Sequence, residues 1–324
     1  MRFATIIVPA LALAALGTVS AVGSSKPASA PSVMKWTTLG TNSGPIPNAE
    51  RAEPANLLKT GTQNILVDSG DGAAWQAAKA GVSLRQINTI FISHLHFDHT
   101  GGLFAVLSQR YQMIEPSPLT IYGPPGTKGL VESMVNGMLT SALGANNMRG
   151  FVRGKPGDNI KVIEMSDGQK LSIGDVRVTA VRNTHYIATP GGDDPSALSF
   201  AFRFDGPGRS IVYTGDTGPS PAVEALAKNA DLLVCEIMDP EIAFAKVKAA
   251  APAMPSFIAD SVLAHFRKEH VSPTEAGLMA SRAGVKALVL THNALPDNAI
   301  AKAKAQIIAN FKGPVTFAKD LQTF

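Results

Sequence analysis

The segment Phe91–Gly102, FISHLHFDHTGG, constrains the fold more than any other part of the chain. It places His94, His96, Asp98 and His99 within six residues, although the whole chain has only seven histidines. The preceding run NTIFIS has the length and β-branched composition of a buried strand, and the following TGGLFAVLSQRY has apolar residues at helical spacing. The four polar side chains are therefore predicted on a strand-to-helix loop, where open α/β sheets place their reactive groups.

Imidazole and carboxylate groups at this spacing predict a metal site. An alternating His-x-His just after a strand points both rings to the same side. Neutral imidazole suits zinc, and an added carboxylate suits zinc, iron or manganese. The alternative is a chance cluster of polar residues on a surface loop, which the strand–loop–helix context disfavours.

Three later apolar runs also end in a residue that can bind a metal. VRVTAVRN is followed by His185, SIVYT is followed by Asp216, and ALVL is followed by His292. A single histidine at a strand end is more often structural, but three such residues in the same position as the first motif indicate one shared site. The predicted metal ligands are His94, His96, Asp98, His99, His185, Asp216 and His292.

The order of these motifs resembles the metallo-β-lactamase superfamily, whose HxHxDH loop is followed by His, Asp and His. The segments LGTNSGPIPNAER, LLKTGTQNILVDSGDG, IYGPPGT and HVSPTEAG resemble one of its branches, which contains tRNA 3′-end-processing endonucleases, secreted arylsulfatases and related phosphodiesterases. The resemblance covers nearly all of the mature chain. It implies an α/β fold, the four-layer αββα sandwich. The predicted ligands are spread from His94 to His292, and one site built from both halves of the chain indicates a single domain over residues 31–324.

The resemblance also implies how the ligands are divided between two divalent cations, which we expect to be zinc. One metal would be held by His94, His96 and His185, the other by Asp98, His99 and His292, with Asp216 as the bridge. Two cations about 3.5–4 Å apart acidify a shared water and clamp the attacking and leaving oxygens. A bridging carboxylate offsets part of the repulsion between the cations, which a neutral imidazole cannot do.

His270 is the sixth histidine with a predicted role. It opens HVSPTEAG, in which Ser272 and Glu275 are spaced as a capping box at the start of a helix. The alternative is a surface residue. In the branch that this chain resembles, a histidine at this point faces the metals and protonates the leaving group or holds an oxygen of the scissile group. We therefore predict that His270 is catalytic, together with Asp98 beside the metal-bound hydroxide, whereas His265 is predicted to be structural.

Residues 1–30 are predicted to be a secretory signal peptide. Arg2 precedes the apolar run FATIIVPALALAALGTV, which is shorter than the ~20 apolar residues of a membrane span. Small residues that suit cleavage end at Ala21 and at Ala30; we favour Ala21, because Pro31 would follow the second bond. The mature protein is therefore expected to be secreted or periplasmic and to have no stable membrane anchor.

Composition and spacing favour a small-molecule substrate over nucleic acid. Removal of residues 1–30 lowers the net charge from +4 to +2, and no run of Lys and Arg follows. The tRNA-processing relatives insert a flexible arm before the bridging aspartate, but here only 31 positions separate His185 from Asp216. The sequence leaves the oligomeric state open.

Two segments have the character of insertions that could form a pocket wall. Lys128–Leu143 has apolar residues at helical spacing with Gly144 as its predicted stop, and Ala243–Val262 is rich in alanine and proline. Ordinary packing is the equal alternative for both segments. If they form the wall, the substrate carries an apolar group.

The predicted function is that of a secreted di-metal hydrolase in which metal-bound hydroxide attacks a phosphate or sulfate ester. The alternative is hydrolysis of a carbonyl compound such as a lactone, a β-lactam or a carboxylic ester. Flavodiiron redox proteins use a similar ligand set, but they commonly replace one histidine of the first motif by a carboxylate and add a flavin domain, neither of which is present. A binding module without catalysis is disfavoured because all seven ligand positions are intact.

Overall fold

The first of two mixed β-sheets is built mainly from the N-terminal half of the chain. Its strands are β1 (Lys35–Gly40), β2 (Ala55–Lys59), β3 (Asn64–Ser69), β4 (Thr89–Phe91), β5 (Leu119–Gly123), β6 (Ile160–Glu164) and β14 (Gln322–Thr323). The spatial order is β14-β1-β2-β3-β4-β5-β6. Pairs from β14 to β3 are antiparallel, and pairs from β3 to β6 are parallel. The parallel strands end at one edge of the sheet.

The second sheet repeats this arrangement with the C-terminal half. Its strands are β7 (Lys170–Ile173), β8 (Val176–Arg182), β9 (Phe200–Gly206), β10 (Arg209–Tyr213), β11 (Leu232–Ile237), β12 (Leu288–Asn293) and β13 (Val315–Phe317). They are ordered β13-β12-β11-β10-β9-β8-β7, antiparallel from β7 to β10 and parallel from β10 to β13. Each strand predicted to deliver a ligand is therefore part of a sheet.

Helices connect the parallel strands. They are α1 (Ala73–Lys79), α2 (Phe97–Thr100), α3 (Leu103–Gln112), α4 (Thr127–Ala145), α5 (Pro221–Leu226), α6 (Pro240–Ala250), α7 (Ser256–Glu269), α8 (Pro273–Ala283) and α9 (Asp297–Asn310). The predicted start of α8 is present, since the Ser272 hydroxyl accepts a hydrogen bond from the Glu275 N–H at 3.3 Å. In contrast, α4 continues past Gly144, the predicted stop, to Ala145.

The core has three parts, which define four layers. Aromatic side chains fill the space between the sheets, with the ring centroids of Phe91 and Phe202 5.3 Å apart and those of Trp36 and Tyr213 5.6 Å apart. Apolar residues of α1, α3 and α4 cover the outer face of the first sheet, and those of α5, α8 and α9 cover the second. The helix–sheet–sheet–helix order confirms the predicted αββα sandwich.

The computed structural model describes residues 33–44, 46–113, 117–145, 154–186 and 197–324. The predicted signal peptide, residues 1–30, lies outside these ranges. Within them, no helix combines the length and the apolar character that crossing a bilayer requires. Cys235 lies buried in β11, and burial raises the pKa of its thiol, as expected for an unreactive core residue.

Candidate metal centre

All seven predicted ligands meet at one edge of the sandwich, because the strands that carry them end there. His94 and His96 follow β4 on a loop, as predicted. Asp98 and His99 instead lie in the short helix α2, because the chain turns helical directly after His96. Two groups of ligand-type atoms, each with its atoms within 4.8 Å of one another, contain all seven, namely His94, His96 and His185, and Asp98, His99, Asp216 and His292. A third group that meets the same distance overlaps both and adds His270 to His185 and Asp216.

Asp216 lies between the two groups. Its carboxylate oxygens are 3.2 Å from the Nε2 atoms of His99 and His292 in one group. They are also 3.9 Å and 4.0 Å from the Nε2 atoms of His94 and His185 in the other group. Asp216 therefore occupies the position of a bridge, the role implied by the resemblance.

Hydrogen bonds behind the rings fix which nitrogen faces the centre. His185 Nδ1 is 3.1 Å from the backbone carbonyl oxygen of Glu269, which can only accept, so this Nδ1 donates and Nε2 keeps its lone pair. Ser93 Oγ donates to Asp68 and lies 3.1 Å from His94 Nδ1, which leaves His94 Nε2 facing inward. Two rings of the first group are thus set to bind a cation through Nε2.

Asp68 is the residue behind the second group, and the sequence analysis missed it. It is fully buried at the end of β3, and its Oδ2 lies 2.8 Å from His99 Nδ1. The same oxygen accepts from the Ser93 hydroxyl at 2.8 Å and from the Tyr213 hydroxyl at 2.7 Å, while Oδ1 accepts from the Ser93 N–H at 2.7 Å. A carboxylate only accepts, so His99 carries its proton on Nδ1 and offers Nε2 to a metal. The signal available in the sequence was an aspartate near the end of an apolar strand, as in NILVDS.

Glycine is required where the N-terminal loop approaches the centre. The Gly44 N–H donates to Asp98 Oδ2 at 3.0 Å. A Cβ atom at Gly44 would lie 2.3 Å from Asp98 Cγ, so any side chain there would displace the carboxylate. The segment LGTNSG therefore positions Asp98 through its backbone.

The buried carboxylates and neutral imidazoles of the site favour a positive charge at its centre. Burial lowers the pKa of His94 and of His185, with the nearby Asp216 carboxylate opposing this effect, so both rings favour the neutral form that binds metals. Burial opposes protonation of His292 too, but the Asp216 and Asp98 carboxylates outweigh it and raise its pKa to about 9. A proton on His292 thus supplies part of the charge that a cation would bring.

Unsatisfied polar atoms test whether this site fits a metal. Seven buried side-chain atoms of the described residues have no hydrogen-bond partner, and three of them, His94 Nε2, His99 Nε2 and Asp216 Oδ1, face one another in the two ligand groups. Each such atom costs about 1–3 kcal/mol. Nitrogen donors with carboxylate oxygens are the donor set of zinc. The residues present therefore fit divalent cations, and their individual ligand roles stay a prediction.

His270 lies inside this site and is not the surface residue of the alternative interpretation. Its Nδ1 is 2.9 Å from Glu236 Oε2, and its ring is parallel to that of His292 at 8°. Burial lowers the pKa of His270 to about 4. Glu236, at the end of β11, was a second residue that the sequence analysis missed. It orients the ring, as a carboxylate behind a histidine generally does.

A cavity of about 240 Å³ opens onto these residues. Its wall includes Met238, and α7 contributes His265 and Phe266. No residue of the second predicted insertion, Ala243–Val262, all of which is described, lines this cavity, so that segment does not form its wall. His265, predicted to be structural, also pairs with Glu269 at 2.8 Å. In the described part of the chain the wall contains no residue of α4, which instead borders a separate groove with β6.

Comparison with known proteins identifies the family. A profile of the β-lactamase superfamily domain matches residues 63–293. The chain is 32% identical over 294 residues to a Ribonuclease Z from Mycobacterium avium (strain 104), covering 89% of this chain and 97% of that enzyme. The chain belongs to the metallo-β-lactamase superfamily. It is a metal-dependent hydrolase of ester bonds, as predicted.

Solved structures share the fold of this superfamily member. The metallo-β-lactamase fold protein YhfI from Bacillus subtilis matches with a TM-score of 0.65 and 21% identity, covering 90% of this chain and 99% of its own. The short form of human tRNase Z matches with a TM-score of 0.61 and 23% identity, covering 90% and 98%. These likenesses confirm the fold.

The prediction that excluded nucleic acid as a partner is wrong. Its arguments were the mature net charge of +2 and the short connection from His185 to Asp216. Yet this chain aligns with 97% of a Ribonuclease Z, so the short connection does not separate it from those enzymes. The net charge of a chain is also a poor measure of its ability to bind nucleic acid, because binding to phosphates depends on the cationic side chains at the contact.

Proposed function

We propose that the protein is a phosphodiesterase that cleaves RNA phosphodiester bonds with two zinc ions. The observation that carries this proposal is the position of Asp216 within 4.0 Å of both ligand groups, with His270 at the same cavity. Similarity to a Ribonuclease Z over 97% of that enzyme supports the choice of RNA over sulfate or carbonyl substrates.

The two ligand groups would each hold one cation. One cation would bind His94, His96 and His185, the other Asp98, His99 and His292, and Asp216 would contact both. Bound there, two divalent cations neutralise phosphate charge and acidify water. The protein contributes fixed ring orientations, since the acceptors behind His99 and His185 hold the Nε2 lone pairs inward.

His270 is suited to move a proton at the departing oxygen. Its Nδ1 lies 2.9 Å from Glu236 Oε2, so the ring is held from behind while its other edge borders the cavity. Burial lowers the pKa of His270 and, with the Asp216 carboxylate, raises the pKa of Glu236, so both groups favour their neutral forms. A protonated Glu236 that donates to Nδ1 leaves the ring proton on Nε2, from where it can pass to the departing oxygen as Nδ1 takes up the Glu236 proton. A positioned general acid contributes about 10²- to 10⁴-fold to the rate.

A panel of substrates tests the proposed reaction. Zinc-reconstituted protein is assayed on precursor tRNA, bis(p-nitrophenyl) phosphate, p-nitrophenyl sulfate, a lactone, a β-lactam and p-nitrophenyl acetate. We expect the highest kcat/KM on a phosphodiester and cleavage of the RNA. His270→Ala should slow RNA cleavage about 10²- to 10⁴-fold with metal content unchanged. A higher kcat/KM on the sulfate, lactone or β-lactam would refute the proposal.

We also propose that residues 1–30 contain a signal peptide that is cleaved after Ala21, and that the domain of residues 31–324 acts in the periplasm or outside the cell. The apolar run behind Arg2 supports this. The test is expression of the full chain with a C-terminal tag, followed by fractionation and N-terminal sequencing. A start at Val22 is expected, whereas an intact Met1 in the cytoplasmic fraction would contradict the proposal.

A further inference from the structure

The cavity at the metal centre is lined by two chemically different kinds of side chain. Its imidazole rings and carboxylates suit a phosphate with its cations, whereas Phe97, Met238 and Phe266 contribute apolar surface. The ring centroid of Phe266 lies 6.3 Å from that of His270, so apolar surface borders the groups that carry the chemistry.

Phe97 is unusual among these three apolar residues. It opens α2, in which the other three residues, Asp98, His99 and Thr100, are buried and face inward. Phe97 therefore points outward, and 87% of it is exposed, the largest fraction for a large apolar residue in the described part of the chain. A polar side chain would be the ordinary choice for such a position.

Single exposed apolar residues are common on protein surfaces, so exposure alone implies nothing. Phe257 on α7 is an example, since it is 71% exposed but is absent from the residues that line this cavity. Phe97 differs in its place, because it lies between two predicted ligands in sequence and shares the cavity with them. A phenyl ring beside a phosphate site offers a flat face on which a nucleobase can stack.

We propose that Phe97 is a specificity residue that stacks on the nucleobase next to the scissile phosphate. The inference rests on the proposed function, because an RNA substrate always carries a base beside each phosphodiester bond. Stacking covers the exposed ring and requires no particular base edge, so it selects nucleotides over other phosphate esters without reading sequence. Met238 and Phe266 line the same cavity and add apolar surface that a base can contact.

Calorimetry on the zinc-reconstituted protein tests this inference independently of catalysis. Adenosine 5′-monophosphate and ribose 5-phosphate share a sugar and a phosphate, and only the first has a base. The wild-type protein should bind the nucleotide about 5- to 150-fold more tightly, which is the range of one aromatic stacking contact. Phe97→Ala should remove most of this preference while leaving the affinity for ribose 5-phosphate unchanged. Phe97→Trp should retain it.

Phe257→Ala is the matched control and should keep the wild-type preference, because it removes another exposed phenyl ring, one that lies outside the cavity. An unchanged preference in Phe97→Ala, or none in the wild type, would overturn the inference even if RNA is cleaved. Loss of the preference in Phe97→Ala without any phosphodiester cleavage by the wild type would leave stacking established and refute the proposed reaction. The two failures are thus distinguishable.

Discussion

Replacement of Asp68 by asparagine tests how the protein prepares its second group of ligands. Four hydrogen bonds of 2.7–2.8 Å converge on this buried carboxylate, including the one that involves His99 Nδ1. Asparagine has nearly the same shape but only one acceptor oxygen. If that oxygen takes the place of Oδ2, the amide N–H₂ faces the Ser93 N–H, and two donors meet. If the oxygen takes the place of Oδ1, the N–H₂ faces His99 instead.

Either orientation has a calculable cost. In the first orientation the Ser93 N–H is left without an acceptor, and in the second the N–H₂ faces His99 Nδ1–H, while the Ser93 and Tyr213 hydroxyls can rotate to accept from it. At least one buried donor thus lacks an acceptor, so the free energy of unfolding of the metal-free protein should fall by about 1–3 kcal/mol. In the second orientation His99 must move its proton to Nε2, where it blocks the metal. Loss of such a supporting carboxylate typically lowers metal affinity about 10- to 100-fold. Denaturant unfolding and competition with a chromophoric zinc chelator measure the two effects separately.

Tyr213→Phe is the control, because it removes one donor to Asp68 and leaves the Asp68–His99 contact in place. It should cost about 1 kcal/mol of stability and leave zinc affinity unchanged. If Asp68→Asn binds zinc as tightly as the wild type, the account of the His99 proton is wrong. If both variants lose zinc equally, the effect comes from general disruption between the sheets.

Three further substitutions probe other contacts. Gly44→Ala should displace the Asp98 carboxylate and reduce kcat about 10²-fold, and an unaltered kcat would contradict the close approach seen here. Asp216→Ala should reduce zinc from two ions to one or none by elemental analysis, whereas two retained ions would exclude a bridge. Burial opposes ionisation of Asp231, but hydrogen bonds from Lys286 and a neighbouring serine lower its pKa from 3.8 to about 2. Its ionised form therefore stabilises the fold above about pH 4, and it does so less as the pH falls towards 2. Asp231→Asn should lower the free energy of unfolding by about 1 kcal/mol at pH 6, a value discounted because the lysine is exposed, and by less at pH 3. A loss of stability that does not depend on pH would contradict this account.

The strand ends were predictable because their signals are local. A short apolar run followed by His185, Asp216 or His292 specifies both the strand and the direction in which the ligand leaves it. The backbone at His292 could not be foreseen, since it has a φ of 44° inside the assigned strand. A left-handed residue of this kind is imposed by surrounding contacts, which a linear pattern does not contain.

Residues that act through another residue were harder to find. In the sequence, Asp68 and Glu236 are ordinary acidic residues near the ends of strands. Only the fold shows that Asp68 lies behind His99, 31 positions away, and Glu236 behind His270, 34 positions away. Phe97 was visible in the first motif, but its exposure follows from the short helix that the sequence analysis placed too late. The exclusion of nucleic acid was wrong for a similar reason, because the net charge of a chain does not show where its cations lie.

The helix pair α6–α7 is an insertion whose two ends lie side by side, so it could be exchanged as a unit. A backbone hydrogen bond of 2.9 Å from Met238 to Val271 ties its two ends together. None of the residues of α6, all of which are described, is buried, and in α7 only Glu269 is. A graft that replaces residues 239–268 and keeps Glu269 and His270 would exchange His265 and Phe266 at the mouth of the cavity while retaining every predicted ligand, the carbonyl behind His185 and the proposed proton donor. Divergence within this architecture can thus proceed by changing the entrance of the site without rebuilding its chemistry.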